Sequence, residues 1–243
     1  MKTSLLKSGK SFILFLCFCV FAHACNKDEE NGSGPDNNGT SNDLCPESFT
    51  YEGKTYHGVM IGEQCWMKEN LDFETGSSWC YGDNPANCET FGRLYNWETI
   101  MNGAVSSVAV PSGVRGICPE GWHVPSDREW MILEGTADSE SPVGSGIWLA
   151  LHYRGHDVGK NLKSKTGWEE ANGTDKFGFS AVPAGFRNFE FVYHCAGQQT
   201  CFWTSTENSN EDALLRTLSY ADDNSGRWYW PKTNGFSLRC VKD

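Results

Sequence analysis

Cysteine usage constrains this 243-residue chain more than any other feature. It has eleven cysteines, and eight of them (Cys45, Cys65, Cys80, Cys88, Cys118, Cys195, Cys201 and Cys240) follow residue 44. An even set of this size predicts a cross-linked domain with up to four disulfides, and it argues against a reducing cytosol. Eight cysteines allow on the order of a hundred pairings. Short separation favours Cys80–Cys88 and Cys195–Cys201, which leaves Cys45, Cys65, Cys118 and Cys240, expected to pair as Cys45–Cys65 and Cys118–Cys240. The last closes the longest loop and constrains the unfolded chain most.

The start of the chain agrees with an oxidising address. Lys2, Lys7 and Lys10 precede the apolar run Ser11–Ala22. That run is too short for a bilayer core of ~30 Å, which needs about 20 residues, so it reads as an export signal and not an anchor. The signal ends in Ala22-His23-Ala24-Cys25, which resembles a bacterial lipoprotein box without the usual aliphatic residue three positions before the cysteine. The resemblance implies cleavage after Ala24 and a diacylglycerol on the Cys25 thiol. Residues 26–44 are rich in Gly, Ser, Asn and Asp and have no aromatic, so they read as a flexible tether. Within it, Lys27-Asp28-Glu29-Glu30 is similar to the surface-export tag of Bacteroidetes lipoproteins, which implies an outer-membrane protein facing the medium. The expected organisation is a signal over residues 1–24, lipidated cysteine and tether over 25–44, and one domain over 45–243.

Loss of the three signal lysines takes the net charge from −11 to −14. Such an acidic chain lacks the basic face that releases counterions from nucleic acid. The 14 Phe, 10 Trp and 8 Tyr supply ample core material, which excludes a disordered protein. Phe49–Tyr51 and Thr55–Ile61 flank Glu52-Gly53-Lys54 as a hairpin. Gly92–Met101 carries Leu94, Trp97 and Met101 at helical spacing. Ser126 and Glu129 form a capping box for a helix that turns Trp130 and Leu133 inward and stops at Gly135. A second helix is expected around Ile147–His152. Phe177–Val182, Phe189–Tyr193, Phe202–Ser205, Ala213–Ser219, Arg227–Trp230 and Phe236–Val241 read as short strands. Helices early and antiparallel strands late make an α+β pattern.

Seven ordered blocks carry a resemblance to a known family. They are Ile61–Leu71 (IGEQCWMKENL), Gly92–Trp97 (GRLYNW), Cys118–Trp130 (CPEGWHVPSDREW), Lys163–Trp168 (KSKTGW), Gly178–Ala181 (GFSA), Trp203–Glu207 (WTSTE) and Phe236–Val241 (FSLRCV). Together they resemble the Fibrobacter succinogenes major paralogous domain of exported bacterial proteins, over essentially all of residues 45–243. More remotely, Trp122–Trp130, Trp203-Thr204-Ser205 and Gly235–Cys240 are similar to blocks of the formylglycine-generating enzymes. That likeness implies a C-type-lectin-like fold with two main helices, a twisted antiparallel sheet and long irregular loops, stapled by disulfides. It also favours the Cys118–Cys240 pairing.

Several chemistries compete for the remaining signals. Formylglycine-generating enzymes use two nearby cysteines, but their pair follows the Trp-Thr-Ser-like block, whereas Cys195 and Cys201 precede it. A structural disulfide is therefore expected there, with a related oxidase as the alternative. His152 and His156, with Asp157, would face one way on a helix and could hold zinc. However, Gly155 weakens a helix, Gly159–Leu162 looks like a loop, and no third ligand is marked. Calcium could take oxygens from Glu207, Asn208, Asn210, Glu211, Asp212, Asp222, Asp223 and Asn224. They follow no calcium-loop spacing, so no cofactor is expected.

Aromatic residues give the best lead. Trp228 and Trp230 share one face of the Arg227–Trp230 strand, and Tyr229 takes the other. The two rings either finish a core or form a stacking platform, with Tyr220, Asp222, Asp223 and Asn224 of the preceding turn beside them for orientation. The combined expectation is a lipid-anchored surface protein that binds a glycan or protein without catalysis. A structural subunit of an envelope complex is a further alternative.

Overall fold

The computed structural model describes residues 45–243. The expected signal, Cys25 and the tether lie outside the described residues. The chain opens with the hairpin β1 (Phe49–Tyr51) and β2 (Lys54–Tyr56), turned by Glu52 and Gly53 at positive φ. Next come β3 (Gly58–Ile61), β4 (Gln64–Met67), β5 (Ser78–Trp79), α1 (Pro85–Phe91), β6 (Leu94–Tyr95) and α2 (Trp97–Met101). β7 (Trp122–His123) leads into α3 (Asp127–Ala137), followed by β8 (His152–Arg154) and α4 (Val158–Leu162). The rest is β9 (Ala184–Arg187), β10 (Tyr193–Ala196), β11 (Gln199–Glu207), β12 (Asp212–Ser219), β13 (Ser225–Pro231) and β14 (Val241–Lys242). They form a six-stranded sheet ordered β10-β9-β11-β12-β13-β8, a four-stranded sheet β3-β4-β14-β7, and two ribbons, β1-β2 and β5-β6.

This corrects the expected α+β, C-type-lectin-like plan with two main helices. Four sheets dominate the described residues, and α3, at 11 residues, is the longest helix. Only a 3-10 turn, Gly146–Leu149, stands where a second helix was expected. The chain then extends, His152 takes φ 72°, and β8 begins. The helix expected over Gly92–Met101 is split, because Gly92 at φ 71° ends α1 and the Asn96 side chain caps α2 by accepting from the Thr99 amide at 2.9 Å. Gly135 does not stop α3. It lets the helix approach the next segment, where a Cβ would lie 2.6 Å from Val143 backbone atoms. Residues 158–162 form α4 and not a loop, and Phe177–Val182 is irregular, with Gly178 and Ser180 at positive φ. Phe189 and Phe191 sit at the tip between β9 and β10 and not in a strand.

Three of the expected disulfides are present: Cys45–Cys65, Cys80–Cys88 and Cys118–Cys240. Cys195 and Cys201 are not bonded to each other, contrary to expectation. Their nearness in sequence is misleading, since sheet order places β9 between β10, which holds Cys195, and β11, which holds Cys201.

β11 is covered on both faces. On one, Phe202 meets Trp130 of α3 at 5.3 Å, and Trp130 in turn packs on Trp66 at 4.9 Å. On the other, Trp203 meets Phe236 at 4.4 Å and donates its indole N–H to the Tyr95 carbonyl. α3 is locked to the sheet by buried charges. Glu134 accepts from Arg154 and Arg216 at 2.7–3.0 Å and from the Ser225 hydroxyl at 2.7 Å. Asp127 accepts from Arg216 at 2.7 Å and Arg227 at 2.9 Å.

A second buried link joins α3 to the four-stranded sheet. His123 donates to Glu129 at 2.7 Å and to Asp243 at 2.7 Å. Serving two carboxylates requires a proton on each ring nitrogen, hence the cation. Burial alone would lower the His123 pKa, but the Glu129 and Asp243 contacts outweigh it and raise the value above 6.5. A raised histidine stabilises fully below its unfolded value, and that contribution is lost as pH rises through the folded value. The difference in thermal midpoint between wild type and His123→Gln should therefore be largest near about pH 6 and shrink toward about pH 9. Thermal scans across that window check it, and a pH-independent gap would refute the charged-histidine link.

Candidate functional site

Strand register gives β13 two unlike faces. Arg227 turns toward α3 and binds Asp127. Trp228, paired with Leu215, and Trp230, paired with Ala213, turn to the opposite face. Tyr153 of β8, opposite Gly226, shares that face with them. Cys201 and Thr217, a cross-strand pair, and Phe186 of β9 extend it across the sheet.

The two tryptophans are not equivalent. Trp228 is half-buried against the core, with His152 edge-on at 4.6 Å and Tyr153 at 5.9 Å. Trp230 is 37% exposed, with Phe186 edge-on at 5.4 Å. It walls two hollows. One, of about 140 Å³, is bounded by Tyr153, Cys201, Thr217 and Trp228. The other, of about 420 Å³, is bounded by Phe186, Asn188, Phe189, His194, Pro231 and Asn234. His194 stacks on Phe186 at 5.2 Å. A rim of exposed Phe189, Phe191 and Val192 projects from the β9–β10 tip. Burial, then the charge of Asp222, pushes the Tyr153 hydroxyl up to about 12, so it stays protonated and able to donate.

The turn residues do not serve this face as expected. Tyr220 packs against the core on the α3 side. Lys163, fully buried, donates to the carbonyls of Ser219 at 2.7 Å and Asp222 at 3.0 Å, and the Asp223 carbonyl accepts from the Lys160 amide. Gly159 of α4 lies so close that a Cβ would be 2.1 Å from the Asn224 oxygen. The turn is thus docked on α4. Asn188, His194 and Asn234 supply the polar groups beside Trp230 instead. They come from separate segments, and no local pattern marks them.

Other candidate sites do not assemble. His152 meets Trp228, while His156 lies 3.5 Å from Glu140. Of the carboxylates weighed for calcium, Glu207 pairs with Lys232 at 2.7 Å. Among the described residues, no cluster of three or more His, Cys, Asp or Glu could hold a metal. A polar hollow of about 390 Å³ lies elsewhere, but Lys54 there is paired with Asp72 and Glu89, and Arg239 donates to Asn70, Phe179 and Ser180. Cys201 is buried, with Thr217 Oγ1 at 3.7 Å from its sulfur, and burial pushes its thiol up to about 12. Cys195 is half-buried, and burial, then the charge of Glu169, raises its thiol. Both are therefore poor thiolates.

Residues 59–242 match the family model described as the Fibrobacter succinogenes major domain, a span that begins after β1 and β2. No curated protein and no solved structure matches the chain.

The unbridged pair is open to direct test. Iodoacetamide labelling of the native protein should modify Cys195 and spare Cys201 until the chain is unfolded in urea. Peptide mapping reads the outcome, and a cross-linked Cys195–Cys201 peptide would overturn it.

Proposed function

The chain belongs to the Fibrobacter succinogenes major domain family, and we propose that it is a lipid-anchored recognition protein of the outer-membrane surface, binding a glycan or protein without catalysis. Trp230 carries this reading. It stands between two hollows on the uncovered end of the six-stranded sheet, beside a rim on which Phe189 is 57% and Phe191 68% exposed. Clustered exposed aromatics bordering a concave surface mark contact sites more than solvated faces. The lining groups are rings, amides and an imidazole, which orient a ligand by stacking and hydrogen bonds. The neighbouring thiols are held protonated by burial, which runs against an oxidase needing a thiolate.

Cys25 is proposed as the acylated first residue of the mature protein, with residues 26–44 spacing the domain from the membrane. Mass spectrometry of the mature amino-terminal peptide should find diacylglycerol on Cys25, and an unmodified cysteine there would exclude the anchor. A glycan and glycoprotein array should give ligand signals with wild type that fall at least about ten-fold with Trp228→Ala plus Trp230→Ala. Equal signals from the two proteins would remove the groove as the recognition surface.

A further inference from the structure

We propose that the smaller hollow, beside Trp228, is a cradle for the acetamido group of an N-acetylated sugar, with the Trp228 indole N–H donating to its carbonyl oxygen. This rests on the recognition reading and names its ligand class. Trp97, Trp148, Trp168 and Trp203 donate their indole N–H groups to carbonyls of the fold. The Trp228 N–H finds no acceptor among the described residues, yet unlike that of Trp130 it is not sealed from solvent. Register fixes where it lies. Cys201 pairs with Thr217, Thr217 with Gly226, and Gly226 with Tyr153, in one row across four strands. The Trp228 ring folds back over Gly226, where a Cβ would stand 2.4 Å from its Nε1. The missing side chain thus brings the N–H between Thr217 and Tyr153, both of which line the hollow.

Two further polar groups border it. The Gln199 side-chain amide, on the same face as Cys201, has no partner among the described residues and keeps accessible surface. Tyr153 adds a hydroxyl at the open side. Beneath them Leu215, Thr217 and Cys201 form a buried floor, and Trp230 is the outer wall. An acetamido group matches this set. Its carbonyl takes N–H and O–H donors, its N–H gives to an amide oxygen, and its methyl settles on an apolar floor. The lining holds no Lys, Arg, Asp or Glu, so a carboxylate or an ammonium would lose hydration there without a counter-charge. At ~30 Å³ per water-sized group, a space of about 140 Å³ takes about four or five heavy atoms. That is the bulk of an acetamido group and too little for a hexose ring. Trp230, 37% exposed, then offers the attached pyranose an apolar face to lie on, which favours a sugar over an acetylated peptide side chain as the carrier.

The test uses the full chain in detergent and biolayer interferometry against polymers carrying N-acetylglucosamine, N-acetylgalactosamine, glucose, galactose or Nε-acetyllysine. At least one acetylated sugar should bind, with its parent hexose at least about ten-fold weaker. Gln199→Met, which removes an amide that the fold does not use, should weaken that ligand by about two- to ten-fold with the thermal midpoint unchanged. Trp228→Phe keeps a ring but deletes the N–H, and should weaken it by a similar factor. Unchanged binding in either variant, equal binding of acetylated and parent sugars, or silence of both acetylated sugars would overturn the cradle. Acetyllysine binding as tightly as the sugars would overturn the sugar as its carrier. The glycan and glycoprotein array separates this proposal from the recognition reading. If tryptophan-dependent signals persist there while acetylated and parent sugars bind alike, the recognition surface stands and the cradle falls, whereas loss of every such signal removes both.

Discussion

The whole arrangement depends on a buried knot of charge between α3 and the six-stranded sheet. Glu134 and Asp127 face Arg154, Arg216 and Arg227, drawn from β8, β12 and β13. Burial would raise the Asp127 carboxyl, but Arg216 and Arg227 outweigh it and hold the carboxyl below its ordinary range. Removing one partner from such a cluster typically costs about 3–5 kcal/mol, because the other charge is left unpaired in the interior. The knot also sets direction. With Arg227 tied inward, strand alternation forces Trp228 and Trp230 to the other face, and a one-residue slip would exchange them.

Rigidity elsewhere supports that face. Phe186, Trp203 and Phe236 form a continuous aromatic wall behind Trp230. The Cys118–Cys240 bridge spans 122 residues, a loop whose closure removes about 5 kcal/mol of unfolded-chain entropy in the simple polymer account. A surface held this way loses little freedom when something settles on it, and that favours tight contact over a small area.

Local chemistry made part of this legible in the sequence. Ser126 and Glu129 form the capping box, with the Ser126 amide donating to Glu129 at 2.8 Å, because both halves of the motif lie within four residues. The β1–β2 turn and the side-swapping of Arg227, Trp228 and Tyr229 were readable for the same reason. Features set by distant packing were not. Gly135 looks like a helix stop until Val143 is seen against it. Asp223 and Asn224 look like ligand contacts until α4 is found beneath them. Asn188, His194 and Asn234 meet only because β9, β10 and the segment after β13 converge at one end of the sheet. The family resemblance was legible from ordered blocks, yet the borrowed two-helix plan failed, since His152 and Gly92 break the segments that would have carried it.

The placement of β14 bears on how such a chain is made. Its Val241 pairs with both Trp66 of β4 and His123 of β7, and the preceding stretch receives the amides of Met67 and Leu71. The ribosome therefore delivers the central strand of that sheet only after every neighbour has already emerged. Until then β4 and β7 lack the strand that joins them, so closure of that sheet waits on the last-made residues.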